Sequence, residues 1–170
     1  MIKWTVVDTP AGPFCVVADE NDVVRASGWE SDVDDLLREV APELARMERT
    51  EEDLGRIREA VVDYYERGDF AALDGIEVHP AGTAFLGEAW AAMRAIPAGE
   101  RVTYQQLADR MGRPTATRAA ASACARNRTG LFVPCHRVVR SDGSTGQFRW
   151  GPDTKRWHLD HERVGADSSA

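Results

Sequence analysis

Apolar and polar residues alternate through the first thirty positions, and the period then lengthens. Thr5-Val6-Val7, Phe14 to Ala18 and Val23-Val24 are separated by Pro10-Ala11-Gly12-Pro13 and by Glu20-Asn21-Asp22. This pattern predicts two or three short antiparallel strands joined by turns. Residues 32–40 and 51–67 carry helical spacing, with Leu54, Ile57, Ala60, Val61 and Tyr64 recurring three and four apart and acidic residues outward. Periodicity stops over 68–75 and again at 79–82. A third helix is predicted from Ala84 to Ile96, with Phe85, Trp90, Met93 and Ile96 on one face and Pro97-Ala98-Gly99 ending it. Residues 103–112 and 113–125 then read as a short helix, a glycine-containing turn and a second helix opened by Pro114, a helix-turn-helix pattern. The second helix is nearly all alanine and serine around Arg118, so its backbone could approach a partner closely while one long cation projects. Residues 131–139 are apolar around Pro134-Cys135-His136 and predict a buried strand or turn. The tail after Val164 is expected to be disordered.

Charge changes this picture only when counted by segment. The net charge of −7 argues against an anionic partner. Residues 1–80, however, hold 8 Lys and Arg against 20 Asp and Glu, while residues 81–170 hold 13 against 8, so the halves carry −12 and +5. The sign changes where the periodicity stops. That places a domain boundary near residue 80, with a strand-rich supporting domain over 1–80 and a basic domain over 81–170 suited to nucleic acid. No window approaches the ~20 apolar residues of a membrane span, and the first residues do not form a secretory signal. A cytoplasmic protein with no membrane partner is expected. Cys15, Cys124 and Cys135 are an odd number without Cys-x-x-Cys spacing, which suits free thiols in a reducing compartment.

Cys135 is the candidate nucleophile. A thiol with an ordinary pKa of ~8.5 needs a base or a positive field to act at neutral pH, and His136 and Arg137 are candidate sources of both. Neighbours in an extended chain point opposite ways, so His136 could serve the sulfur only at a turn or through a bridging water. The competing reading is a small buried apolar cysteine. A metal site from Cys135, His136, His158 and His161 lacks a second cysteine ligand at suitable spacing, and no metal is expected.

Pro134-Cys135-His136-Arg137-Val138 resembles the signature of the methylated-DNA–protein-cysteine methyltransferases, which repair 6-O-alkylguanine. Gly99 to Tyr104, Gln106 to Ala108, Arg118-Ala119-Ala120, Arg126-Asn127 and Trp157 to Glu162 are similar to the family in content and in distance from the cysteine. The resemblance is strong over 82–164 and looser over 1–80. It implies an α/β fold, with a ribonuclease-H-like N-terminal domain and a helical C-terminal domain carrying a winged-helix-like helix-turn-helix. It also implies extrusion of the damaged nucleotide from duplex DNA. The second helix would enter the minor groove, Ala116, Ala119, Ala120 and Ser122 permitting the approach and Arg118 filling the gap in the stack. Binding would be electrostatic, with little reading of sequence. Cys135 would take the alkyl group, His136 would remove its proton through a water, and Glu162 would steady the imidazolium. Tyr104 would contact the base and a phosphate and protonate the leaving guanine, and Asn127 would brace the turn that carries the cysteine. The Cys135 and Val138 carbonyls and the N–H near Arg149 would read the guanine, and Lys155 would pack beside the site loop. A single turnover, no cofactor and a monomer are the expectations.

Departures from the family pattern refine the pocket. Phe148 stands where many relatives have tyrosine, Arg128 follows Asn127 in place of a frequent proline, and Cys124 takes a wall position that is often bulkier. Trp150 is expected to narrow the pocket against benzyl-sized adducts. Two other functions compete: a non-catalytic helix-turn-helix protein that regulates or senses alkylated bases, and a thiol hydrolase using Cys135, His136 and Glu162 on an acyl group.

Overall fold

A computed structural model describes residues 1–168, with side chains through Arg163. The chain divides into two compact units, one of Met1–Ala81 with Arg128–Phe132, the other of Gly82–Asn127 with Val133–Ala170. The first unit is built on a four-stranded sheet. β1 (Ile2–Thr9) and β2 (Gly12–Ala18) form a hairpin, β3 (Val24–Gly28) pairs antiparallel with β2, and β4 (Arg49–Glu51) lies parallel to β1, giving the order β3-β2-β1-β4. Three antiparallel strands followed by a parallel fourth match the ribonuclease-H-like expectation. The hairpin reverses at Gly12, whose φ of +109° is open to glycine.

α1 (Val33–Val40) starts at Asp32, whose carboxylate accepts the Asp34 and Asp35 amides, and it buries Val33, Leu36, Leu37 and Val40. α2 (Gly55–Glu66) buries Ile57, Ala60, Val61, Tyr64 and Tyr65. The spacing predicted this helix from residue 51, but Glu51 ends β4 and Leu54 has a left-handed φ of +63°, so the helix begins four residues later. Pairing with β1 outweighs local helical spacing there.

Residues 128–132 are a correction to a continuous 81–170 domain. Thr129 bridges Ser27 in parallel; the Ser27 amide donates to the Arg128 carbonyl at 3.0 Å and the Gly130 amide to the Ser27 carbonyl at 3.1 Å. Ser27 Oγ also donates to the Gly130 carbonyl, and the Phe132 ring lies 6.2 Å from Phe14. The segment thus extends the edge of β3, a pairing across a hundred residues that local pattern does not carry.

The second unit runs α3 (Ala84–Arg94), β5 (Val102–Thr103), α4 (Tyr104–Arg110), α5 (Thr117–Ala125), β6 (Val138–Val139) and α6 (Pro152–Ser168). β5 and β6 are parallel, and a tight turn over 140–144 follows β6. Thr103 and Gln106 form a capping box at the start of α4. Pro114 lies in the turn before α5, not in its first turn, and its carbonyl accepts Gln105 Nε2 at 2.8 Å. α3 buries Trp90 and Met93, and Trp90 Nε1 donates to the Ala123 carbonyl on α5. The expected disorder after Val164 meets helix through Ser168, and 169–170 lie outside the described residues. Among the described residues no helix is long and apolar enough to cross a membrane.

Candidate active site

Cys135, His136 and Arg137 form one 3₁₀ turn, closed by the Arg137 amide donating to the Pro134 carbonyl at 3.0 Å. Asn127, just past the end of α5, pins this turn: its Nδ2 donates to the Val133 carbonyl at 2.8 Å and to Cys135 Sγ at 3.1 Å. The turn ends in β6, and α6 runs alongside it bearing Glu162. His136 Nε2 lies 2.6 Å from Glu162 Oε2. Arg137 grips the same carboxylate through Nε at 2.8 Å and Nη2 at 3.1 Å, and its Nη1 donates to the Ile96 carbonyl at 2.6 Å. Glu162 is thereby shared between a histidine and an arginine, all three side chains being buried.

Burial alone would raise the Glu162 carboxyl, but His136 and the Arg137 fork together hold it below the usual carboxylate range. Burial lowers His136, and Arg137 and Lys155 lower it further, outweighing the pull of Glu162. The imidazole is therefore neutral, its Nε2–H donating to the carboxylate. Nδ1 is left as the accepting nitrogen, with no protein hydrogen-bond partner among the described residues. Burial pushes the Cys135 thiol up, against the Asn127 hydrogen bond and the fields of Lys155 and Arg149. The resting sulfur is a thiol, and a base must take its proton.

A cavity of about 600 Å³ lies in this unit, lined by Tyr104, Cys124 and Ala125 on α4 and α5, by Arg140, and by Phe148 and Arg149 of the loop before α6. Its size falls in the ~300–1,000 Å³ range of small-molecule sites. Cys135 is 4% exposed and lies close enough to Tyr104 and Cys124 on the cavity wall that its thiolate form would raise the pKa of both. Burial pushes the Tyr104 hydroxyl up to about 12, so it keeps its proton at neutral pH and is a donor.

A family model described as 6-O-methylguanine DNA methyltransferase, DNA binding domain, matches residues 84–164. The methylated-DNA–protein-cysteine methyltransferase of Salmonella typhimurium is 37% identical over 92% of each chain. The chain belongs to the methylated-DNA–protein-cysteine methyltransferase family. It is similar also to the bifunctional transcriptional activator/DNA repair enzyme Ada of Escherichia coli, 35% identical over 95% of this chain and 45% of Ada. The crystal structure of the Mycobacterium tuberculosis O6-methylguanine methyltransferase superposes with a TM-score of 0.78 at 25% identity, covering 96% of this chain and 94% of that one. As a family member the chain is a DNA-binding methyltransferase of the DNA-repair class.

In this methyltransferase, Cys135, His136, Glu162 and Asn127 come together, with Tyr104 across the cavity. Lys155 is buried and donates to the Val138 carbonyl at 2.7 Å and more weakly to that of Gln147, tying β6 to the site loop. Other expectations need correction. Arg137 does not supply the field at the sulfur, because its guanidinium is spent on Glu162 and Ile96; Lys155 and Arg149 supply it instead. Trp150 packs edge-on against Phe148 at 5.4 Å, so Phe148 forms the wall and Trp150 braces it. The Cys135 carbonyl accepts the Val138 amide, and the Val138 carbonyl accepts Lys155 Nζ. His158 bonds the Thr154 carbonyl and His161 stacks on Trp157, and no metal-holding cluster occurs among the described residues.

On α5, Arg118, Ala119 and Ser122 are exposed and Ala116 caps the helix. Ala120 is fully buried with Ala123, so it packs within the unit and cannot touch a partner. Helical period decides this, since 120 and 123 share the inward face.

The sequence reading missed Arg140 and Gly146. Gly146 has φ of +78°, and a Cβ there would meet Tyr104 Oη at 2.9 Å, with Arg140 Cγ at 3.5 Å and Lys155 Nζ at 3.6 Å. Its signal was only one glycine among fourteen. Gly146→Ala is expected to displace Tyr104 and strain the loop, at roughly 1–3 kcal/mol of local strain. A methyl-transfer rate reduced about tenfold or more, with the thermal midpoint little changed, is the expected result; a wild-type rate would show that this approach is dispensable.

Proposed function

We propose that this protein removes an alkyl group from 6-O-alkylguanine in double-stranded DNA by moving it onto its own Cys135, once per chain. The observation that carries the reading is the buried Cys135–His136–Glu162 constellation beside a cavity whose wall bears a protonated Tyr104. The damaged nucleotide leaves the stack and enters the cavity, at a cost of a few kcal/mol in stacking and pairing. His136 Nδ1 accepts the thiol proton through a water, and Glu162 and the Arg137 fork hold the ring while it becomes imidazolium. The sulfur displaces the guanine oxygen at the alkyl carbon, so one S–C bond forms as one C–O bond breaks. The electron pair stays on guanine, which takes a proton from Tyr104, and Tyr104 is re-protonated from solvent.

The product is a thioether with no group placed to remove it, so the reaction stops after one turnover and needs no cofactor. Duplex binding rests on exposed cations. Arg101, Arg118, Arg126 and Arg140 of this unit make no side-chain hydrogen bond or ion pair among the described residues, whereas Arg110, Arg113, Arg156 and Arg163 are paired with carboxylates. Arg118 projects from α5 toward the duplex and fills the space of the extruded base, and a monomer suffices for all these steps.

Intact-mass measurement after incubation with a duplex containing one 6-O-methylguanine tests the reading. The expected result is a gain of one methyl group in place of hydrogen, mapped to Cys135, in an amount that never exceeds the protein present. A gain mapped to another residue, or repeated turnover, would sink it.

A further inference from the structure

We propose that Arg140 holds a backbone phosphate of the extruded nucleotide at the rim of the cavity, which makes it a substrate-positioning residue; the proposal rests on the reading above. Arg140 is exposed and yet forms part of the cavity wall. Its guanidinium makes no hydrogen bond or ion pair among the described residues. The other cations of this region are already engaged: Arg149 donates to the Ala125 carbonyl at 2.9 Å, and Lys155 to the carbonyls of Val138 and Gln147. The nearby Asp142, whose carboxylate accepts the Ser144 amide at 2.9 Å and its hydroxyl at 2.6 Å, feels the Arg140 charge but makes no ion pair with it.

Its position is fixed before any ligand arrives. The Arg140 amide donates to the Ser144 carbonyl and its carbonyl accepts the Gly143 amide, both at 3.1 Å, so the tight turn after β6 holds the backbone. The stem runs past Gly146, on which Tyr104 Oη also converges. A nucleotide whose base faces Tyr104 therefore brings its sugar-phosphate toward Arg140. Base and sugar are neutral, and the phosphate is the one part of the nucleotide that calls for a cation. A guanidinium matches it with two parallel N–H donors.

The test compares methyl transfer to Cys135 from a 6-O-methylguanine duplex and from the nucleoside 6-O-methyl-2′-deoxyguanosine, which has no phosphate. Arg140→Ala is expected to slow the duplex reaction about tenfold, the order of one charge-assisted contact, and to slow the nucleoside reaction several-fold less. The slope of log rate against log salt for the duplex should flatten by about one contact. Arg140→Lys should recover part of the duplex rate and most of the salt slope. Equal slowing of both substrates would overturn the proposal by showing that Arg140 acts through Tyr104 or the cavity shape, and an unchanged duplex rate would overturn it outright. A wild-type protein that accepts methyl from neither substrate would instead overturn the transfer reading, and the phosphate contact with it.

Discussion

Cys135→Ala is expected to abolish methyl transfer completely while leaving duplex affinity at the wild-type level. The sulfur, once deprotonated, is the strongest nucleophile of the Cys135–His136–Glu162 set toward an alkyl carbon. Cys124 also borders the cavity, but burial holds its thiol far above the ordinary range. Neither His136 Nδ1 nor Lys155 substitutes, since the first lies in a buried network and the second is committed to two carbonyls. Removing one buried sulfur leaves a void of about methyl size, a loss near 1 kcal/mol. Asn127 keeps its Val133 partner, so the turn survives. The proposed reading places affinity on exposed arginines away from the sulfur, and gel-shift titration at fixed salt should return the same dissociation constant for both proteins. A variant that still gains a methyl group would move the acceptor to another residue; one that loses binding would mean that the thiol also shapes the DNA surface. A thiol hydrolase and a non-catalytic sensor predict, respectively, lost multiple turnover and unchanged function.

Glu162→Gln is expected to damage both stability and rate. The substitution keeps the shape but removes the charge that Arg137 and His136 share. A buried guanidinium left without its counter-ion costs roughly 3–5 kcal/mol. Urea unfolding should show a lower midpoint with an unchanged slope. The rate of transfer, measured where the variant is still folded, should fall about 10²–10⁴-fold, because the ring loses both its orientation and the partner that stabilises its protonated form.

The pH dependence follows from the directions of the two shifts. Glu162 is held below its unfolded value, so its contribution is full above the ordinary carboxylate pKa of ~4.3 and is lost as pH falls toward its folded value. His136 is also lowered, so it favours the fold above ~6.5 and costs stability as pH drops below that. Wild type should therefore lose stability in two stages on acidification. Glu162→Gln should lack the lower stage, and an unchanged acid profile would show that the carboxylate is not held by these partners.

The strands of residues 2–28, the helices predicted at 32–40, 84–96 and 103–112, and the buried stretch around Cys135 were legible from period, because that signal acts within a few residues. The family was legible from a pentapeptide and its spaced companions, and with it the whole Cys135, His136, Glu162 and Asn127 set. Other features depend on partners far apart in the chain. The 128–132 segment joins the β3 edge through Ser27, Glu51 ends a strand instead of beginning a helix, and Ala120 turns inward while Ala119 turns outward. The charges at the site were equally out of reach. Arg137 stands beside Cys135 in the chain, yet its guanidinium serves Glu162, and the field at the sulfur comes from Lys155 and Arg149. Residue types and their spacing specify which chemistry is carried. Which groups are desolvated, paired or left open depends on packing among distant segments, and burial with pairing is what moves a proton from one group to another.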